Sequence, residues 1–223
     1  MKSIVAMLIA GLCLSAGAVD FEMGVGGAHY DKKEDGHWYQ EGFQNNLRLT
    51  PTAFEVGLTG DLWRRAGYGV SFHADWVYLG SIHTQALAVP VDENYNVKTK
   101  GCNGKCLPLA NFVGSGHDQG FLFTLEPYYV KEGWRYGAEF GPYFHKPLFS
   151  EVVYNWQPDP RTPPQTLYVQ NINKWRWGSV YGVSISRGNF TLSYKYFTND
   201  GVKNDFYSPI WKNTHLLSLK YKF

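Results

Sequence analysis

Apolar and polar residues alternate strictly at the end of the chain, where THLLSLKYKF sets Leu217, Leu219, Tyr221 and Phe223 at every second position. A strand has a side-chain period of two, so these four share one face while Ser218, Lys220 and Lys222 share the other. The same rhythm recurs upstream. DFEMGVGGAHY opens a first strand; TAFEVGLTGDLW and YGVSFHADWVYLGS follow, joined through RRAG; GFLFTLEPYYV and RYGAEFGPYFHKPLF are joined through KEGW; KWRWGSVYGVSIS and FTLSYKYF are joined through RGN. With the closing segment, the pattern predicts eight strands.

Short and long connections alternate. The long ones are a polar loop near DKKEDGHWYQEG, a polar stretch from about His83 to Gln119, the proline-rich QPDPRTPPQ, and TNDGVKNDFYSPIWKN. Tight turns at one rim and long loops at the other are the signature of an up-and-down barrel, whereas Greek-key sandwiches mix loop lengths at both ends. No linker or second domain interrupts residues 19–223, so the expected fold is a single all-β, eight-stranded antiparallel barrel.

Sorting positions by parity gives every strand one apolar face, for example Phe21, Met23 and Val25, or Phe121, Phe123 and Leu125. The opposite faces carry small, polar or charged residues: Glu22, Glu55, His73, Asp75, Glu126, Glu139, His145, Arg176, Lys195 and Lys220, with many glycines. An eight-stranded interior is only just filled by side chains, so the bulky aromatic set does not fit inside. The greasy face therefore points outward and the polar face lines the lumen, as in an outer-membrane barrel. Trp76, Tyr78, Tyr129, Trp134, Trp175 and Trp177 fall near strand ends, where aromatic girdles form.

The N-terminus agrees. Lys2, the apolar run Ile4 to Leu14 and Ala16-Gly17-Ala18 read as a secretory signal peptide over residues 1–18, with cleavage expected after Ala18. Cys13 raises a lipoprotein alternative, but Leu12 stands where a lipobox needs a small residue. Cys102 and Cys106 in KGCNGKC are the two cysteines left after cleavage and are expected to form a disulfide. The rival, a metal site, lacks a histidine in the same stretch. A net charge of +2 with interleaved signs gives no polybasic face and no case for a nucleic-acid partner.

At its C-terminus the chain resembles the small eight-stranded outer-membrane proteins of the OmpX, Ail and Lom type and the OmpA membrane domain. Leu217, Leu219, Tyr221 and Phe223 match the terminal signal that the barrel-assembly machinery reads in those proteins. The resemblance implies a monomer in the outer membrane of a Gram-negative bacterium, in contact with outer-membrane lipid and lipopolysaccharide. It also implies long loops facing outside, available to an extracellular ligand. The cysteine-bearing second loop departs from the simplest members.

Catalytic candidates are few. His73 and Asp75 share the inward face and could begin a hydrolytic or acyl-transfer site, and His117 with Asp118 suggests a protease-like pair, but no nucleophile or oxyanion donor accompanies either. No His-x-Ser, the pairing used by lipid A deacylases of similar size, occurs. The expectation is thus a non-porin barrel without cofactor or metal, whose surface loops bind, adhere or modify the envelope; the alternative is a lipid A acyltransferase or deacylase. The interior charges are expected to pair and plug the lumen.

Overall fold

The computed structural model describes residues 19–30, 45–88, 95–96, 98–99, 101–103, 106, 108–157, 159, 161–199, 202–204, 207–210 and 213–223. The segment expected to be a signal peptide and most of the first long loop lie outside the described residues. Eight strands form a ring: β1 (Val19–Tyr30), β2 (Thr52–Arg65), β3 (Tyr68–Ala88), β4 (Ala110–Lys131), β5 (Trp134–His145), β6 (Arg176–Arg187), β7 (Phe190–Asn199) and β8 (Asn213–Lys222). Each pairs antiparallel with its sequence neighbour, and β8 closes on β1 from Glu22↔Lys222 to Tyr30↔Thr214. Closure removes both sheet edges, which lipid could not satisfy. The alternation at the C-terminus is explained: Leu217, Leu219 and Phe223 are half exposed on the outer wall, while Ser218 and Lys220 are buried inside.

Three tight turns, around Gly67, Gly133 and Gly188, join β2 to β3, β4 to β5 and β6 to β7, each glycine at positive φ. At the other end the sheet continues far above the ring. Strands β3 and β4 run 21 and 22 residues, so the stretch from His83 to Gln119, expected to be loop, is strand up to Ala88 and again from Ala110. Asn45–Thr50 pairs with upper β3, Leu148–Trp156 with upper β4, and Gln165–Asn173 with Leu148–Trp156. These added strands prolong β2, β5 and β6 past breaks at Pro51, Lys146–Pro147 and Lys174–Trp175; at the first two, proline cannot donate to the ladder. The result is a five-stranded wall standing on one side of the barrel. On the other side, among the described residues, β1 runs up to Tyr30 and Val202–Asn204 pairs with Tyr207–Ile210.

Facing outward around the ring is an apolar belt that includes Val25, Leu58, Phe123, Val183 and Leu217, the last four between 47% and 58% exposed. From Phe21 to Val25, Tyr68 to Tyr78, Phe121 to Tyr129, Tyr181 to Ile185 and Phe190 to Tyr196, no outward position carries Asp, Glu, Lys or Arg. A charge at the lipid midplane would cost about 2 to 4 kcal/mol. Aromatic contacts mark two levels: Phe144 stacks on Trp175 at 4.6 Å near the wall, and Phe21 meets Phe223 at 5.7 Å near the turns. These are the girdles of a membrane-spanning barrel.

Candidate functional site

Every strand contributes to a charged layer in the lumen. Lys195 on β7 places Nζ 2.7 Å from Glu55 on β2, 3.3 Å from Glu139 on β5 and 3.8 Å from Asp75 on β3. Lys220 on β8 reaches Glu22 on β1 at 2.8 Å and Asp75 at 3.6 Å. His73 bridges two carboxylates, Nδ1 lying 2.8 Å from Glu22 and Nε2 2.9 Å from Glu126 on β4. Arg135 of β5 donates to the same Glu126 oxygen, and Ser184 of β6 donates to its other oxygen. Ser218 and Thr124 donate to Glu55 and Glu139. Five carboxylates therefore meet two lysines, an arginine and a histidine across a space where charges survive only with partners.

Glycine makes this crowding possible. A Cβ on Gly137 would stand 1.8 Å from a Glu126 oxygen that Ser184 holds, so a side chain at this position meets the network directly. Toward the turns the layer opens into a polar cavity of 560 Å³, bordered by Gly133, Gly188, Arg135, Thr191 and Lys222. Beyond it, at the rim, Lys222 pairs with Asp20 at 3.1 Å.

Toward the wall the lumen changes character. Again all eight strands contribute, but with Ala28 and Tyr30, Ala53, Val77 and Leu79, Leu122, Tyr143, Val180, Phe197 and Leu216, all buried. Tyr143 packs edge-on against Phe197 at 5.0 Å and stacks on His145 at 4.6 Å. Here the sequence expectation of a polar face along the whole strand is corrected: the interior is charged in its lower part and apolar above. The cause is a shared apolar character of both faces near the outer girdle, for example at Phe121-Leu122-Phe123.

The proposed interior set thus divides. Glu22, Glu55, His73, Asp75, Glu126, Glu139, Lys195 and Lys220 come together in one network. His145 instead lies in the upper layer, fully buried, with Nδ1 2.9 Å from Asp118. Arg176, opposite His145 in the β5–β6 register, lies at that level too and not across from Glu126. Of the partners of these residues only Arg135 was missed; Thr124, Ser184 and Ser218 share the inward faces that parity sorts, and Asp118 pairs with His145 rather than acting with His117. Parity alone puts Arg135 on the Gly137 and Glu139 face, but its place beside the KEGW turn hid it.

The chemistry open to this lumen is limited. His73 faces Glu22 and Glu126, not Asp75, and neither ring nitrogen is left free to act as a base, so the His73/Asp75 dyad does not form. His117 and Asp118 point to opposite sides of β4, and Asp118 serves His145. Glu22, His73 and Asp75 could offer ligand atoms within 4.8 Å of one another, but the Lys220 ammonium already sits against the two carboxylates. A metal ion there would compete with that fixed charge. Cys102 and Cys106 are joined by a disulfide with Cα atoms 5.9 Å apart, beside the short pairing of Tyr95 with Cys102.

Belt, girdles and a lumen filled by side chains at two levels define an eight-stranded transmembrane barrel. No known protein family and no curated protein matches the chain. Among solved structures it is similar to the crystal structure of Ail, the attachment invasion locus protein of Yersinia pestis, at 13% identity, covering 92% of this chain and 97% of that one with a TM-score of 0.39. The same values hold for Ail in complex with the heparin analogue sucrose octasulfate. The backbone structure of Ail in a phospholipid bilayer nanodisc aligns at 15% identity and a TM-score of 0.28, covering 92% of this chain and all of that one.

Proposed function

We propose that the protein is a non-conducting barrel of a Gram-negative outer membrane, exported through its signal peptide, whose wall is a platform for surface binding. The tight turns at Gly67, Gly133 and Gly188 face the periplasm, and the wall faces outside. Supporting this reading is the wall itself: strands of 21 and 22 residues exceed the 9 to 11 that span a bilayer, so roughly half of each serves something beyond the membrane. Gln165–Asn173 ends the wall with an edge unpaired among the described residues, and Tyr168 beside it is 82% exposed. Unpaired edges and exposed aromatics are what extended polypeptide partners use. Lipid modification has weaker support, since the one interior histidine beside the cavity is held by two carboxylates.

The test is adherence of bacteria displaying the protein to cultured cells and immobilised matrix proteins. Wild type should raise adherence, and Tyr154→Asp with Tyr168→Asp should abolish the gain at unchanged surface display. Unchanged adherence together with altered lipid A by mass spectrometry would replace this reading with the enzymatic one. Cysteine labelling from outside, at Pro163 in the proline-rich loop, checks the orientation.

A further inference from the structure

On the convex face of the wall, β3 and β4 present two Ser-x-His stretches, Ser81 to His83 and Ser115 to His117, running antiparallel. The register sets Ser81 against His117 and His83 against Ser115. That face depends on Gly80, whose positive φ accompanies a register shift between Tyr78 and Ser81. The shift changes parity, so Ser81 and His83 point outward where Tyr78 did. Ser150 and Asn171 continue the row across the next two strands. These six side chains line a groove of 380 Å³. None donates to or accepts from another described side chain, and the ring of Tyr78 lies 5.5 Å from that of His117.

The height of the groove is informative. His117 lies four residues above Phe121 of the aromatic girdle on β4, about 13 Å along the strand and about 9 Å along an axis tilted by ~45°. Headgroups occupy that depth, just outside the hydrocarbon core. Its donors and acceptors are hydroxyls, imidazoles and an amide, with no carboxylate or ammonium among them. Two cations flank the groove on this face without joining its lining: Lys146 below, over the Trp175 ring at 5.9 Å, and Arg48, opposite His83 in the strand register. Neutral groups of both hydrogen-bonding senses, with an aromatic ring beside them, match the hydroxyls and apolar face of a sugar better than a phosphate. Acyl transfer from Ser115 would need an acid behind His83 and oxyanion donors, and the groove lines up neither.

We infer that this groove holds the sugar headgroup of a glycolipid in the outer leaflet. The inference rests on the membrane orientation proposed above. It gives the wall a second task at its base, reading the lipid in which the barrel stands.

The test uses the full mature protein, refolded into nanodiscs of phosphatidylcholine with equal mole fractions of glucosyl-diacylglycerol and phosphatidylglycerol. Lipid retained on release is read by native mass spectrometry. Glucosyl-diacylglycerol should be retained about fivefold over either phospholipid, the effect of roughly one net hydrogen bond. Ser115→Ile with Asn171→Ala should remove that preference while the heat-modifiable gel shift stays intact. His83→Gln, which keeps hydrogen bonding, should keep most of it. Equal retention of all lipids, or a preference that survives in the double variant, would overturn the groove as the site. Preference for phosphatidylglycerol would overturn the neutral-sugar class, and displacement by free maltose would overturn the lipid-anchored source. Failure to insert into the nanodiscs at all would count against the membrane reading instead.

Discussion

The two halves of the lumen are built on the same eight strands at the same radius, yet one is held by ions and the other by aromatic and aliphatic contact. The lower layer sets Lys195 and Lys220 among four carboxylates, holds a fifth by His73 and Arg135, and borders a cavity open toward the turns. The upper layer sets Phe197, Leu216 and Tyr143 against Leu122 and Leu79, with one buried pair, Asp118 and His145. A charged layer fixes which residue faces which, since each ion has few acceptable partners. An apolar layer excludes water and tolerates repacking. Stacked, they seal the barrel twice.

Breaking the ionic layer should have the larger effect. Lys195→Met leaves Glu55 and Glu139 without their shared ammonium and should lower stability in detergent by about 3 to 5 kcal/mol, read from a urea titration. Adding Glu55→Gln should recover part of that loss; no recovery would mean that Lys195 acts by packing. In the upper layer, Leu216→Ala should cost about 2 to 5 kcal/mol, scaling with the space it leaves. Planar-bilayer recordings of this variant should still show no stable steps, because the ionic layer remains closed. Porin-sized steps in the unmodified protein would contradict both seals. Gly137→Ala sharpens the contrast, since the added methyl collides with a carboxylate held by partners; about 1 to 3 kcal/mol is expected. A neutral outcome would show that Glu126 can move. Smallest is Cys102→Ser: a ring of so few residues contributes at most about 2 kcal/mol, and to its own loop, so the barrel's unfolding midpoint should not shift.

How much of this could be read in the sequence depends on what surrounded each strand. Within the lipid, outward residues had to be apolar and lower interior residues polar, so parity identified Glu22, Glu55, Glu126, Glu139, Lys195 and Lys220 correctly as inward. Near the outer girdle both faces are apolar, as in Trp76-Val77-Tyr78-Leu79, and the period of two disappears. Above the girdle the pattern inverts. His83, Gln85, Ser115 and His117 point outward while Ile82, Ala86 and Phe112 are buried, so the stretch looked like a polar loop. The parity change at Gly80 added to the disguise. His73 was legible as inward, but its choice of Glu22 and Glu126 over Asp75 depends on which strands meet across the lumen, and that is absent from any single strand.

Among the described residues the wall rises over β2 to β6, which gives that part of the molecule a bearing in the plane of the membrane. A barrel with even loops presents the same profile to every neighbour that diffuses past. This one does not: its convex sheet looks sideways across the bilayer surface. Rotation about the membrane normal therefore becomes a meaningful coordinate, and neighbours crowding the membrane can sort themselves by bearing as well as by distance.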